Sequence, residues 1–213
     1  MGVFITFEGG EGVGKSSQAN YLSKSLNKIK EKNVITREPG GTKEAEIIRR
    51  LIVNEKYSDF LPETELLLIY ASRHEHVCKL IVPALKTKTV ICDRFIHSTI
   101  CYQIALNKIS KRKLNILHKE FAFSLVPNVT FLLNLDPKKG ITRSLEKKSN
   151  EIKYEKKGLK FHNKIQKEFL NLSKTDRKVI LIDASKPIQI VHKEIIDKIN
   201  LRKTFKKELP YSI

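Results

Sequence analysis

What this 213-residue sequence lacks already narrows its function. No apolar run approaches the roughly 20 residues needed to cross a bilayer, so no transmembrane segment and no membrane partner are expected. The start, MGVFITFEGGEGVGKSS, has acidic residues early and no basic stretch leading into an apolar one, so it does not read as a secretory signal. Cysteine is scarce. Cys78, Cys92 and Cys101 are an odd number without metal-ligand spacing, and they read as reduced thiols in a cytoplasmic protein. Internal repeats and long linkers are absent. Acidic residues are few, 23 against 41 Lys and Arg, which leaves a formal net charge of +18. That excess invites a nucleic-acid reading. It is mostly lysine, however, scattered through KIKEK, KTK, KRK, EKK and KTFKKEL, with no aromatic-interleaved basic strand and no zinc-finger or helix-turn-helix pattern. A solvated surface that attracts polyanionic small ligands such as nucleotides fits better, and no nucleic-acid partner is expected.

What is present is a regular alternation of short apolar runs and longer amphipathic stretches. Strands are predicted at 3–7, 34–36, 89–92, 129–135 and 179–182. Helices are predicted at 16–30, 42–53, 62–85 with a break before Pro83, 98–107, 111–123 and 188–199. Near-continuous apolar strands alternating with helices predict an α/β fold: a three-layer, five-stranded, mostly parallel sheet with helices on both faces. Residues 144–160 are polar and charge-dense, and read as a mobile excursion between elements. Residues 1–202 are expected to form one domain carrying this insertion, with a basic tail at 203–213.

The strongest motif is Gly9-Gly10-Glu11-Gly12-Val13-Gly14-Lys15-Ser16, which satisfies G-x-x-x-x-G-K-[ST] between a predicted strand and a predicted helix. Glycines there let backbone N–H groups turn toward phosphate oxygens, and the following helix contributes its positive end. Lys15 is expected on the β and γ phosphates and Ser16 on Mg²⁺, with Ser17 next in the helix. These features predict a nucleoside triphosphate site. Asp93 and Arg94 follow the third strand, where open α/β sheets bind ligands. Asp93 is a candidate Mg²⁺ group and Arg94 a candidate phosphate clamp. Arg37, Arg49 and Arg73 are further candidate anion ligands.

FEGGEGVGKSS, TREPGGT, LLIYASRHEHV, PAL, VICDRFIHSTICYQ and LIDAS fall in an order and spacing that resembles bacterial thymidylate kinases, P-loop nucleoside monophosphate kinases. The resemblance spans Val3 to about Ile199. It implies the P-loop NTPase fold with a mobile lid at about 144–160. It also implies transfer of the γ-phosphoryl of ATP to dTMP, giving dTDP and ADP with Mg²⁺, usually in a homodimer. By resemblance, Gly9 to Ser17 would hold ATP, and Glu11 would face the sugar 3′-hydroxyl. Arg49 and Arg94 would lie near the acceptor phosphate, and Arg73 would bond the thymine carbonyl. Ser98, Thr99, Tyr102 and Gln103 would read base and sugar, and Arg143 would lie near adenine. Three departures stand out. Ile69 replaces the aromatic residue that commonly stacks on thymine, Lys153 stands where an arginine is common in the lid, and Gly12 takes the place of an arginine that some members carry in the phosphate loop. By resemblance the lid offers Arg143, Lys147, Lys148 and Lys153; a transition-state cation is expected from Arg143 or Lys153, Lys147 and Lys148 read as solvated charges, and Arg94 is next in line. A kinase for another nucleoside monophosphate or a deoxynucleoside is the alternative within enzymes. A nucleotide-dependent switch is disfavoured because no N/T-K-x-D motif is present.

Overall fold

The computed structural model describes residues 2–54, 60–105, 109–146 and 153–213. Five strands, β1 (Phe4–Glu8), β2 (Asn33–Arg37), β3 (Thr89–Asp93), β4 (Val129–Asn134) and β5 (Val179–Asp183), form one parallel sheet in the order β2-β3-β1-β4-β5. Helices lie between them: α1 (Lys15–Lys28), α2 (Lys43–Val53), α3 (Pro62–His76), α4 (Val82–Leu85), α5 (Ile96–Thr99), α6 (Lys111–Ala122), α7 (Pro137–Leu145), α8 (Gly158–Thr175) and α9 (Ile188–Leu201). The expected α/β architecture is therefore present, and the first strand lies in the middle of the sheet.

Side-chain alternation on β1 divides the core between the two faces. Ile5 and Phe7 join Leu22 and Leu26 of α1 and Ile195 of α9 in one cluster. Phe4 joins Leu66 and Tyr70 of α3, with Phe95, on the other face. Both faces are covered, which is why the strands are nearly continuous in apolar residues. Thr6 and Thr130 are exceptions that satisfy one another, their hydroxyls 2.8 Å apart in the core.

Several stretches differ from the sequence expectation. The described part of the helix expected at 98–107 is the short α5 followed by a π-helical stretch, Ile100–Ala105, that carries Tyr102. The helix predicted through Leu85 is interrupted by a π-helical turn at Val77–Ile81, with Val82 N–H donating to the Val77 carbonyl. Pro83 lacks an N–H and its ring crowds the carbonyl four residues back, and a wider turn relieves both. Helices α7 and α8 were not anticipated. Phe161, Ile165, Phe169 and Leu172 form a narrow stripe on α8, hidden among lysines and other polar residues, and they pack with Tyr102 and Cys101. The excursion expected at 144–160 is accordingly anchored at both described ends, by α7 and by the start of α8. Lys147 and Lys148 lie outside the described residues. The segment expected as a basic tail folds back: Leu209 is buried, and Asn200 on α9 pairs with both the N–H and the carbonyl of Leu209. No described helix is long and apolar enough to cross a membrane.

Candidate active site

A parallel sheet directs the carboxyl ends of all its strands to one edge, and β1, β2 and β3 end there in Glu8, Arg37 and Asp93. A cavity of about 280 Å³ opens at this edge. Its lining includes Glu11, Gly12, Val13, Gly14, Lys15, Ser16, Arg37, Arg49, Arg73, Asp93, Arg94, Ser98, Thr99, Tyr102 and Gln103. Most of the residues singled out from sequence thus meet in one place.

The loop after β1 turns sharply through Gly9, Gly12 and Gly14, all at positive φ, and Gly14 starts α1 at φ 98°. Lys15 Nζ donates to the carbonyls of Gly10 at 2.6 Å and Gly9 at 3.3 Å. Burial and the nearby Arg94 push the Lys15 ammonium below its ordinary pKa. Ser16 Oγ donates to Asp93 Oδ2 at 2.6 Å, joining the start of α1 to the end of β3. A hydroxyl and a carboxylate at this junction are hard oxygen donors, as Mg²⁺ prefers. Among the described residues, no group of three or more His, Cys, Asp or Glu could hold a metal. The pair suits a cation that keeps waters and arrives with phosphate oxygens.

Gly12 also answers why no arginine stands there. Its φ is +63°, and a Cβ built on it would collide with the carbonyl oxygen of Gly140 on α7. Conversely, a Cβ on Gly140 would meet the Glu11 carbonyl oxygen. Helix α7 rests on the loop backbone to backbone, which a side chain at either position would prevent.

Arg94 sits at φ 70°, uncommon for a residue with a Cβ. That backbone turn brings its guanidinium back over the loop. Nη2 meets Glu11 Oε1 at 2.7 Å, and Nη1 donates to the Gly9 carbonyl at 2.9 Å and Ser98 Oγ at 3.1 Å. Tyr102 OH also donates to Glu11 Oε1, at 2.9 Å. Burial alone would raise the Glu11 pKa, but Arg94 and Lys15 outweigh it and hold the carboxyl at about 2. Glu8, one strand position behind the loop, was missed from sequence. It is buried and accepts from Phe95 N–H at 2.8 Å and Ser98 Oγ at 2.6 Å. Burial raises its pKa despite His97 and those donors. An acid at the end of an apolar strand was the available signal.

On the other side, Arg73 of α3 is fully buried between the rings of Tyr70 and Phe95, each 4.9 Å from the guanidinium. Nε donates to Glu38 Oε2 and Nη2 to Thr99 Oγ1, both at 2.8 Å. His76 lies 3.1 Å from Glu38 Oε1 and 2.6 Å from Thr36 Oγ1, completing the network. Burial opposes ionisation of Glu38, yet Arg73 and His76 keep its pKa below the ordinary value. Arg49 reaches the Pro39 carbonyl at 2.7 Å, and Arg37 pairs with Glu46. Ile69, in place of a stacking aromatic, clusters with Ile52 and Val53 to give the cavity an aliphatic wall.

Some expected residues lie elsewhere. Gly9 and Gly10 line a smaller recess behind the loop, and Ser17 is outside the cavity lining. Arg143 is exposed on α7 and is not in that lining. Lys153 is buried and ion-paired with Glu65 of α3, not open to the cavity. Gln103 also donates to Glu65. Tyr154 and Glu155 line the cavity and were not anticipated.

A family model described as thymidylate kinase matches residues 7–195. A thymidylate kinase of Onion yellows phytoplasma is 42% identical over 212 residues, covering 97% of this chain and all of its own. One of Magnetococcus marinus is 41% identical, covering 90% and 92%. The crystal structure of thymidylate kinase from Ehrlichia chaffeensis superposes with a TM-score of 0.76 at 30% identity, covering 93% of this chain and 98% of that one.

Proposed function

The chain belongs to the thymidylate kinase family, kinases that phosphorylate dTMP with ATP as donor, and from this premise we propose how its own residues perform the transfer. The γ-phosphoryl moves from the bridging oxygen of ATP to a phosphate oxygen of dTMP, leaving ADP and dTDP. The acceptor is already an anion, so no strong base is needed. Positioning and charge neutralisation are what the protein must supply.

The glycine loop and the first turn of α1, Gly9 to Ser17, hold the donor phosphates, with Lys15 as their fixed cation. Ser16 and Asp93 would hold Mg²⁺, which neutralises phosphate charge when bound. Arg94 is the cation at the junction of donor and acceptor. Its contacts to Glu11, Gly9 and Ser98 fix the guanidinium before any ligand arrives, so little reorganisation is needed during transfer. Glu11, ionised beside Arg94, accepts from the sugar 3′-hydroxyl, and Tyr102 covers the 2′ position. Arg73 and Thr99 face the base, and Ile69, Ile52 and Val53 hold its apolar edge. Arg37 and Arg49 flank the acceptor phosphate. Arg143 at the end of α7 faces the adenine side.

The observation that carries this reading is Arg94, held at positive φ and joined to the loop carboxylate between the triphosphate loop and the buried Arg73 pocket. A coupled ADP-release assay with ATP, Mg²⁺ and a panel of nucleoside monophosphates tests it. dTMP should turn over fastest. Equal or faster turnover of another monophosphate would transfer the assignment to that acceptor.

Exposed Leu67 on α3, with Ile116, Phe121 and Phe123 on or just after α6, supports a homodimer through this face. Light scattering of the purified protein should give twice the 24.6 kDa chain mass. The free thiols of Cys78, Cys92 and Cys101 are in keeping with a cytoplasmic setting.

A further inference from the structure

One buried charge pair near the cavity has no place in these roles. Glu65 on α3 receives three donors from distant parts of the chain. Lys153 Nζ binds Oε2, while Tyr154 OH at 3.0 Å and Gln103 Nε2 at 2.9 Å bind Oε1. Lys153 and Glu65 side chains are 3% and 12% exposed, so water offers little substitute for the pair. The chain of contacts continues inward. The Tyr154 ring meets Tyr102 edge-on at 5.3 Å, Tyr102 OH holds Glu11, and the Arg94 guanidinium lies 5.3 Å from the Tyr102 ring.

We propose that Glu65 is a positioning residue: it fixes the Lys153–Tyr154 segment against α3, and Tyr154 in turn sets Tyr102 and the acceptor wall. Lys153 serves this anchor and does not neutralise the transferring phosphoryl. A lysine whose ammonium is buried against one carboxylate, outside the cavity lining, is held away from the reacting oxygens. Gln103 is held by the same carboxylate, so its amide orients the π-helical stretch Ile100–Ala105, which carries Tyr102. The inference rests on the acceptor reading above for its kinetic arm, but not for its structural arm.

The two roles for Lys153 separate cleanly under charge exchange. Glu65→Gln and Lys153→Met should each raise KM for dTMP by about tenfold while kcat stays within about threefold. The double variant Glu65→Gln/Lys153→Met should be no worse than either single one, because both break the same link. The exchanged pair Glu65→Lys/Lys153→Glu should recover KM to within about threefold of wild type, since attraction is restored with reversed sign. A cation acting on the phosphoryl group would behave otherwise: Lys153→Met would lower kcat by about 10²-fold, Glu65→Gln would not reproduce it, and exchange would deepen the loss. That pattern overturns the proposal. If the exchanged pair does not fold, the double variant decides. Additive loss overturns the proposal and non-additive loss sustains it.

The structural arm needs no substrate. Hydrogen exchange in 154–158, where Lys157 N–H donates to the Tyr154 carbonyl at 3.0 Å, should speed up in folded Glu65→Gln while β1 and α1 stay as in wild type. Unchanged exchange in 154–158 would refute the anchor even if dTMP proved not to be the acceptor.

Discussion

The mouth of the sheet and the back of α9 solve the same problem with opposite chemistry. At the mouth, Glu8, Glu11, Lys15, Glu38, Arg73 and Arg94 are ionisable and largely withdrawn from water: Arg73 pairs with Glu38 and Arg94 with Glu11, while Lys15 rests on loop carbonyls and Glu8 on the Phe95 N–H and the Ser98 hydroxyl. Where the last residues fold back over α1 and α9, the buried contacts are neutral. His192 lies between Ser25 at 3.3 Å and Ser212 at 2.9 Å, and Ser212 Oγ donates to the Tyr21 carbonyl. Burial and Lys28 lower the His192 pKa to about 4, so the ring is uncharged at neutral pH. Burying charge is unfavourable unless each ion is matched. This chain concentrates that penalty where phosphates must be met, and closes its far side with hydroxyls and a neutral ring.

The sharpest way to break the comparison is Lys15→Ala. Burial and Arg94 already oppose the Lys15 charge in the free protein. Removing it should leave the melting temperature unchanged or raised, while kcat falls by about 10²-fold or more. Near-normal turnover in the folded variant would take Lys15 out of the mechanism.

Tyr102→Ala comes next. If the ring rejects a 2′-hydroxyl, the kcat/KM preference for dTMP over its ribose counterpart should narrow by about 1–3 kcal/mol, or roughly fivefold to 150-fold. Equal ratios before and after substitution would remove Tyr102 from sugar discrimination.

Gly12→Ala tests the uncharged part of the mouth. The left-handed φ alone costs about 1–2 kcal/mol, and displacement of α7 adds to it. Calorimetry should show a melting temperature lower by several degrees, with KM for ATP raised. A variant as stable as wild type would mean that α7 does not rest on the loop.

The smallest effect belongs to the far side. As pH falls, the unfolded chain protonates its histidines near 6.5, but folded His192 resists until about 4. Its contribution to stability is full above about 6.5 and lost progressively toward 4. His118, also lowered by burial, acts in the same direction. Glu8, raised by burial, acts in the opposite one, so the quantity to read is the difference between wild type and His192→Gln. Between pH 6.5 and 4.5 the variant should lose less stability than wild type. Parallel curves would show that His192 is not the source.

The phosphate loop and the end of β3 were legible in the sequence and the pairings across the chain were not, for a physical reason. Gly9 to Ser16 and Asp93-Arg94 work through local backbone geometry, so their spacing carries the chemistry. Glu65 acts through partners 38, 88 and 89 residues away, and no local pattern marks such a pairing. Glu38 lay inside a recognised block, yet its partners Arg73 and His76 come from α3. Helix α8 escaped notice because its apolar positions form a stripe one residue wide on a charged surface. Val3–Phe7 and Val129–Leu135, buried on both faces, could hardly be misread. Lys153 is the least legible residue: a lysine in a charge-dense stretch reads as solvated or reactive, and only the packing reveals the acid beside it.

Glu8 has a consequence for how the molecule breathes. Its carboxylate takes the N–H groups of Phe95 and Ser98, at 2.8 and 3.3 Å, in a stretch where the chain has left β3 and α5 has barely begun. Amides at such a junction ordinarily open with the loop that carries them. Here their acceptor is a side chain on the end of the central strand, which links their opening to that strand. The segment that delivers Arg94 to the cavity is thereby tied to the central strand, and amide exchange at Phe95 and Ser98 as slow as that within β1 is the expected signature.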